Sequence, residues 1–417
     1  MGKKVDLLIE NLKELVTPGT SRLPVKGARM RDLEVVKGVS IVVDGEKIAG
    51  ITREPNEYDP ALRVDGSQLV ALPGFVDAHT HLPFYAFRYE EFLMRAEGKE
   101  YMEILKAGGG IYGTVSEVRK VSLHEMVHFN RRFLDSMFRK GVTTCETKSG
   151  YGLNEEGEIK QLECVKILNE THPIDLIPTF LGAHVVDKEY RSRTREYLEH
   201  LLSFSEKIKK YTNTVDIFCE KDVFELEDTR YYLHEMRKRG FRLRLHANEF
   251  EDMGCAKLGV ELGAVSVDHL LVCSTATLDA LASSNTVAVL MPGTSFFMNK
   301  DYAPARKIID EGGAVALGSD FNPGSCMIYD PTLIIHLAVN HLKMKVEEAI
   351  TAYTINSAYV LGIAEKLGSL EKGKQADILL LDIPSYRALP YVPGHDVVRA
   401  VIKKGKCYTQ STSLYLS

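Results

Sequence analysis

The stretch Pro73-Gly-Phe-Val-Asp-Ala-His-Thr-His81 begins as an apolar run and ends on two histidines spaced two apart. On an extended strand such positions project to the same side, so His79 and His81 present both imidazoles to one point. With residues 74–79 read as a strand, seven more short runs read the same way: 141–147, 174–181, 215–220, 242–246, 264–268, 286–291 and 314–318. Aliphatic and β-branched residues dominate most of them, as in strands covered on both faces. Amphipathic helices fill the gaps. Ser122-Leu-His-Glu125 is a capping box, Met126, Phe129, Phe133 and Met137 follow at helical spacing, and Gly141 comes just after the helix. Asp228 is expected to cap the helix that ends before Gly240, and Pro304 to sit in the first turn of the next-to-last barrel helix.

Eight strand–helix units are what an α/β chain needs to close a TIM-type (β/α)8 barrel, with functional groups at the C-terminal strand ends. A doubly wound open sheet competes, but has no reason to place polar residues at the ends of so many separate strands. The flanks read differently. Residues 36–53 alternate apolar and polar side chains around an Asp44-Gly45 turn, a hairpin signal. Residues 377–381 and 397–403 are strand-like between loops containing Pro and Gly. Both chain ends are thus expected to build one small discontinuous β domain, residues 1–68 with 366–417, around a barrel at 69–365.

Three more strand ends carry residues that suit a metal. Leu245-His246-Ala-Asn-Glu249 ends the fifth run, Val267-Asp-His269 the sixth and Leu317-Gly-Ser-Asp320 the eighth. A catalytic divalent ion takes three or four N/O ligands and leaves a position open for water. His79, His81, His246 and Asp320 supply that set, and a charged Asp at the end of an apolar run is costly to bury without a partner. Each alone reads equally well as a core histidine or a loop cap; their joint placement at strand ends favours the metal. His124, His128, His200, His234, His336 and His341 lie in helical patterns and read as surface or packing residues.

The bulk composition narrows the function. The 417 residues are 45% hydrophobic and 26% charged with a formal net charge of −5, which leaves no basic footprint for nucleic acid or an anionic membrane. The Arg237-Lys-Arg239 run reads as a solvated helix face. The first 13 residues are charged throughout and lack the apolar core of a signal peptide. No apolar stretch approaches the ~20 residues that span a bilayer. Seven scattered cysteines without a C-x-x-C pair suggest neither a zinc ribbon nor a disulfide framework, and a reduced cytoplasmic compartment is expected.

With these residues in view, the sequence resembles the amidohydrolase superfamily, and within it the imidazolonepropionases, over nearly its whole length. Pro73 to His81, Gly141-Val-Thr-Thr144 and Gly373-Lys-Gln-Ala-Asp377 carry the superfamily likeness. Gly108-Gly-Gly-Ile111, Glu146-Thr-Lys-Ser-Gly-Tyr-Gly152, Phe180-Leu-Gly-Ala-His184 and Gly318-Ser-Asp-Phe-Asn-Pro-Gly-Ser325 carry the narrower one. The glycine run is no phosphate cradle, because no P-loop Lys follows it. After His184 the sequence reads Val-Val-Asp-Lys where that family commonly has a Pro-containing segment, and Ser325 stands where Thr is also common.

The resemblance implies hydrolysis of 4-imidazolone-5-propanoate to N-formimidoyl-L-glutamate, a step of histidine degradation, on a single zinc or iron ion, in a homodimer. Dinuclear branches place a carboxylated lysine at the fourth strand; here that strand ends in Phe218-Cys-Glu220 with Lys221 beyond, which favours one ion. In this chemistry Asp320 would take the water proton and pass it to the leaving ring nitrogen, while His269 would polarise the carbonyl. Glu249 is close enough to touch the water or a ring nitrogen, and the sequence does not rank it against Asp320 as the base. Arg88, by itself an ordinary ion-pair partner for its acidic neighbours, becomes on this pattern the fork for the propanoate. Tyr151 and His184 match substrate contacts. Asn322, Gly324 and Ser325 offer an amide, a backbone N–H and a hydroxyl to the same carboxylate. The rival readings are another cyclic amidase or a deaminase, which would keep the metal residues without needing Arg88, and a non-catalytic scaffold on the same fold.

Overall fold

The computed structural model describes residues 2–19, 22–99 and 109–409. Eighteen strands occur among these residues: β1 (Lys3–Leu12), β2 (Glu14–Pro18), β3 (Leu33–Val36), β4 (Val39–Asp44), β5 (Lys47–Thr52), β6 (Tyr58–Asp65), β7 (Val70–Pro73), β8 (Phe75–Asp77), β9 (Val142–Lys148), β10 (Asp175–Ala183), β11 (Thr214–Cys219), β12 (Arg242–Ala247), β13 (Ser266–His269), β14 (Val287–Leu290), β15 (Ala314–Leu317), β16 (Ile378–Leu381), β17 (Val398–Lys403) and β18 (Lys406–Thr409). Strands β8 to β15 coincide with the eight apolar runs. They pair in parallel and in sequence order. Beyond the ladders, Ala78 N–H donates to Leu317 O (3.3 Å), Asp320 N–H to His79 O (2.8 Å) and His81 N–H to Phe321 O (3.0 Å), joining first strand to last. The fold is the (β/α)8 barrel.

Local signals act as expected at most element ends. Ser122 and Glu125 form both bonds of the capping box on the helix Leu123–Arg139, whose Met126, Phe133 and Met137 are buried. Gly141 follows at φ +95°, and a Cβ there would press on Leu379 Cδ1 at 2.9 Å, so its conformation and its packing both call for glycine. Two capping expectations are corrected. The helix Leu226–Lys238 is preceded by Glu225, which makes no side-chain cap, and Asp228 lies in the first turn, where its charge suits the helix dipole. Pro304 is the residue before Ala305–Asp310 rather than within its first turn. Gly108 lies outside the described residues; Gly110, at φ +87°, precedes the helix Ile111–Lys120.

The flanking strands form two sheets, ordered β5-β4-β1-β6 and β18-β17-β16-β7-β2-β3, the second drawing on both chain ends. Strand alternation divides their side chains between two cores. Ala71, Ile378, Leu380 and Ile402 join Leu7, Ile9, Ile41 and Val43 between the sheets. Val70, Leu72, Leu379, Leu381 and Val401 point the other way and belong to the barrel's large outer core. No helix among the described residues is long and apolar enough to cross a membrane.

The cysteine expectation is overturned at one place. Cys219, ending β11, and Cys255, opening the helix Cys255–Glu261, are joined in a disulfide across 36 residues. That spacing carries no motif; adjacency of β11 and β12 in the barrel brings the two together.

Candidate active site

The C-terminal barrel mouth gathers the strand-end residues. Asp77 anchors the start: its carboxyl accepts Ser319 N–H (2.9 Å) and Tyr353 O–H (3.1 Å), and burial pushes it up to about 6. Two and four residues on, His79 and His81 both face inward. His79 Nε2 lies 3.3 Å from His81 Nε2, which lies 3.4 Å from His246 Nε2 and 3.2 Å from Asp320 Oδ1. All four residues are buried. The four expected metal residues thus meet at one point.

Whether the set fits an ion follows from the other ring nitrogens. His79 Nδ1 donates to Asp268 Oδ2 (2.7 Å) and His246 Nδ1 to Asp216 Oδ2 (3.0 Å). Both carboxylates accept, so each Nδ1 carries the proton and each Nε2 keeps its lone pair. Burial holds His79 well below the ordinary histidine range and lowers His246 to about 4. The neutral His79 and His246 turn their lone pairs toward His81 Nε2, so the three imidazoles converge on one point that a cation can occupy. The donor set fits a divalent ion. Asp320 adds negative charge; burial works to raise it, but the bond and charge of His81 outweigh that and hold it well below the ordinary carboxylate range. Its Oδ2 accepts Thr294 Oγ1 (2.6 Å), which leaves Oδ1 on the histidine side.

His81, His246 and Asp320 line a cavity of about 640 Å³. His269, at φ +80°, puts Nε2 3.8 Å from Glu249 Oε2, and its Nδ1 has no partner among the described residues. Glu249 is held from behind, because Glu220 Oε2 accepts both Glu249 N–H (3.1 Å) and Phe250 N–H (3.0 Å). His184 stacks on His81 with ring centres 5.0 Å apart, and its Nδ1 bonds Gly150 O (3.1 Å). Tyr151 is buried against both rings, and burial pushes its hydroxyl up.

Arg88, Asn322, Gly324 and Ser325 also line this cavity. Arg88 pairs with Glu91 through Nε (2.7 Å) and Nη2 (2.6 Å). Asn322 Oδ1 accepts the N–H groups of Gly324 (2.8 Å) and Ser325 (2.7 Å). The Gly324 N–H is therefore spent inside the turn instead of being offered to a carboxylate. Gly324 matters for a different reason: a Cβ there would overlap the Arg88 guanidinium. Ser325 Oγ lies 2.9 Å from Asn322 Nδ2.

Sequence reading passed over the layer beneath the histidines: Glu146, Lys148, Asp216, Arg244 and Asp268, all buried. A signal was present. Glu146 with Lys148, and Arg244 with His246, are pairs two apart within apolar strands, and each pair must face the barrel interior.

The family model described as "Amidohydrolase family" matches residues 88–408. An imidazolonepropionase of Kosmotoga olearia is 50% identical over 404 residues, covering 97% of this chain and 98% of the relative. One from Clostridium tetani is 41% identical over 419 residues, covering 97% and 98%. Among solved structures, a zinc-bound adenosine deaminase from Xanthomonas campestris superposes with a TM-score of 0.71 at 18% identity, covering 100% of this chain and 95% of that one. A mutant atrazine chlorohydrolase of Arthrobacter aurescens gives 0.65 at 16%, covering 97% and 95%; at such identities both speak to the fold alone. The barrel, the His and Asp cluster at its mouth and identity along almost the full length agree: the chain belongs to the imidazolonepropionase branch of the amidohydrolase family.

Proposed function

We propose that this protein hydrolyses the cyclic amide C–N bond of 4-imidazolone-5-propanoate, giving N-formimidoyl-L-glutamate in histidine degradation. The observation that carries the reading is one cavity lined both by His81, His246 and Asp320 of the histidine cluster and by Arg88, Asn322 and Ser325. A cyclic amide with a short carboxylate arm would meet the first group with its ring and Arg88 with its carboxylate.

His79, His81, His246 and Asp320 would hold one zinc or iron ion. When bound, it supplies Lewis acidity that makes water nucleophilic near neutral pH. Asp320 Oδ1 takes the proton of the attacking water as the oxygen adds to the amide carbon. The same proton passes to the ring nitrogen as the C–N bond breaks, so the carboxylate ends as it began. His269 donates toward the carbonyl oxygen as negative charge grows there, and Glu249 orients that imidazole or a ring nitrogen of the substrate. Arg88, with the Asn322 and Ser325 side chains, receives the propanoate, and Tyr151 and His184 close the wall over the ring. On the family resemblance we also propose a cytoplasmic homodimer, which light scattering on the purified chain checks.

The test follows the ultraviolet absorbance of freshly made 4-imidazolone-5-propanoate, with product mass and a chelated control. Metal-dependent formation of formimidoyl-glutamate is expected. A fully metallated protein that leaves the substrate intact moves the reading to another cyclic amide.

A further inference from the structure

Under the histidines, three buried carboxylates and two buried cations form one connected array across β9, β11, β12 and β13. Glu146 Oε1 is its centre, accepting Lys148 Nζ (2.7 Å) and Arg244 Nη1 (2.8 Å). Lys148 Nζ also reaches Asp216 Oδ2 (2.8 Å), the carboxylate that takes the His246 Nδ1 proton bond. Arg244 Nη2 also reaches Asp268 Oδ2 (2.6 Å), the carboxylate behind His79 Nδ1. Ser266 fixes the rest, receiving Arg244 Nε (3.0 Å) and donating to Asp268 Oδ1 (2.6 Å). The array grips backbone as well. Arg244 Nη2 donates to Ala78 O (2.9 Å), and Glu146 Oε2 accepts Thr80 N–H (3.2 Å). Both neighbours of His79 are therefore tied to the same five side chains.

We propose that Lys148 and Arg244 are positioning residues of the metal centre, which set the ring orientation and tautomer of His79 and His246 through Asp268 and Asp216. This deepens the metal site proposed above and rests on it. Buried ion pairs are weak evidence of stabilisation, since desolvation offsets most of their attraction. A packed apolar layer would fill a barrel interior as well. What an apolar layer lacks is a way to hold two imidazoles, each by its Nδ1, at a fixed angle to a common point. Arg244 does this with a planar fork spread over four acceptors, Glu146, Asp268, Ser266 and Ala78 O, a geometry that Lys does not reproduce.

The test is zinc affinity of the full-length chain, measured by competition with a chromophoric chelator, beside circular dichroism of the metal-free protein. A second readout is nitrogen-15 NMR of the histidines without metal, which reports the tautomer directly. For Arg244→Lys and Lys148→Met we expect a 10- to 100-fold rise in the zinc Kd and loss of the single Nδ1–H tautomer at His79 or His246. Lys148→Arg, which keeps a cation between Glu146 and Asp216, should recover part of the affinity. If Lys148→Met does not fold, Arg244→Lys decides alone, because it keeps the buried charge. Unchanged affinity and tautomer in folded Arg244→Lys overturn the proposal. So does weaker binding that merely tracks loss of secondary structure in the metal-free chain, since the residues would then only hold the barrel together. Wild-type protein that takes up no zinc or iron sinks the metal reading itself, a separate failure.

Discussion

Arg88 meets a carboxylate before any substrate arrives. Glu91 occupies its Nε and Nη2, and burial, which would raise Glu91, is outweighed by the Arg88 bonds and charge, leaving that carboxyl lowered. The guanidinium is thereby oriented, and its Nη1 lies over Gly324 where only a residue without Cβ leaves room. Gly324→Ala should displace the guanidinium, raising KM for the propanoate substrate about tenfold or more while kcat changes less, the pattern of lost uniform binding. Steady-state kinetics on substrate of known concentration decides it. With Oδ2 held by Thr294, Asp320 has one oxygen on the histidine side, and Asp320→Asn should lower kcat by about 10²–10⁴. Glu249→Gln should cost less. Kinetics at matched metal content checks the order, and the reverse order would transfer the role to Glu249.

The loop between β12 and the helix Cys255–Glu261 carries Glu249 and is held at two points. Glu220 takes its two backbone N–H groups, and the Cys219–Cys255 bond fixes the end of the previous strand to the start of the following helix. By the chain-entropy account a crosslink over 36 residues contributes about 4 kcal/mol. Replacing both cysteines by alanine should therefore lower the denaturant midpoint, read from guanidinium unfolding with and without reductant. Wild type under reductant should move toward the variant, and the variant should not respond. Equal midpoints for all would show that the bond adds nothing to stability.

For the whole molecule, the junction of barrel and β domain is electrostatic as well as apolar. We propose 69–365 as the barrel unit and 1–68 with 366–417 as the small domain, with β7 a shared strand because it pairs with β16 and β2. Asp175, opening β10, accepts Lys403 Nζ (2.8 Å) and Lys404 Nζ (2.6 Å) from the small domain. Burial would raise Asp175, but the two lysines outweigh it and bring it down from the usual carboxylate range to about 2. A folded value below the unfolded one gives stability that is present above about pH 4 and lost as pH falls through about 2, on the order of 2 kcal/mol. Asp175→Asn should flatten the acid limb of the stability curve in that window, seen in urea midpoints from pH 5 to pH 2. An unchanged limb would place the acid sensitivity elsewhere.

The amino-acid pattern by itself determined the barrel, because eight apolar strands with capped helices between them have few ways to bury both faces. It also placed His79 and His81 on one face, since spacing by two is a local property of a strand. The C-terminal segments that complete the six-stranded sheet were legible for the same reason of period. Only the tertiary structure decided what depends on partners distant in the chain. Asp268 lies behind His79 across 189 residues, and Arg244 reaches Ala78 O across 166. Cys219 finds Cys255 across 36 residues. Hydrophobic period fixes which side of an element is inside, whereas the pairing of charges inside is fixed by barrel register, which places His246 beside Asp268 and Ala247 beside His269.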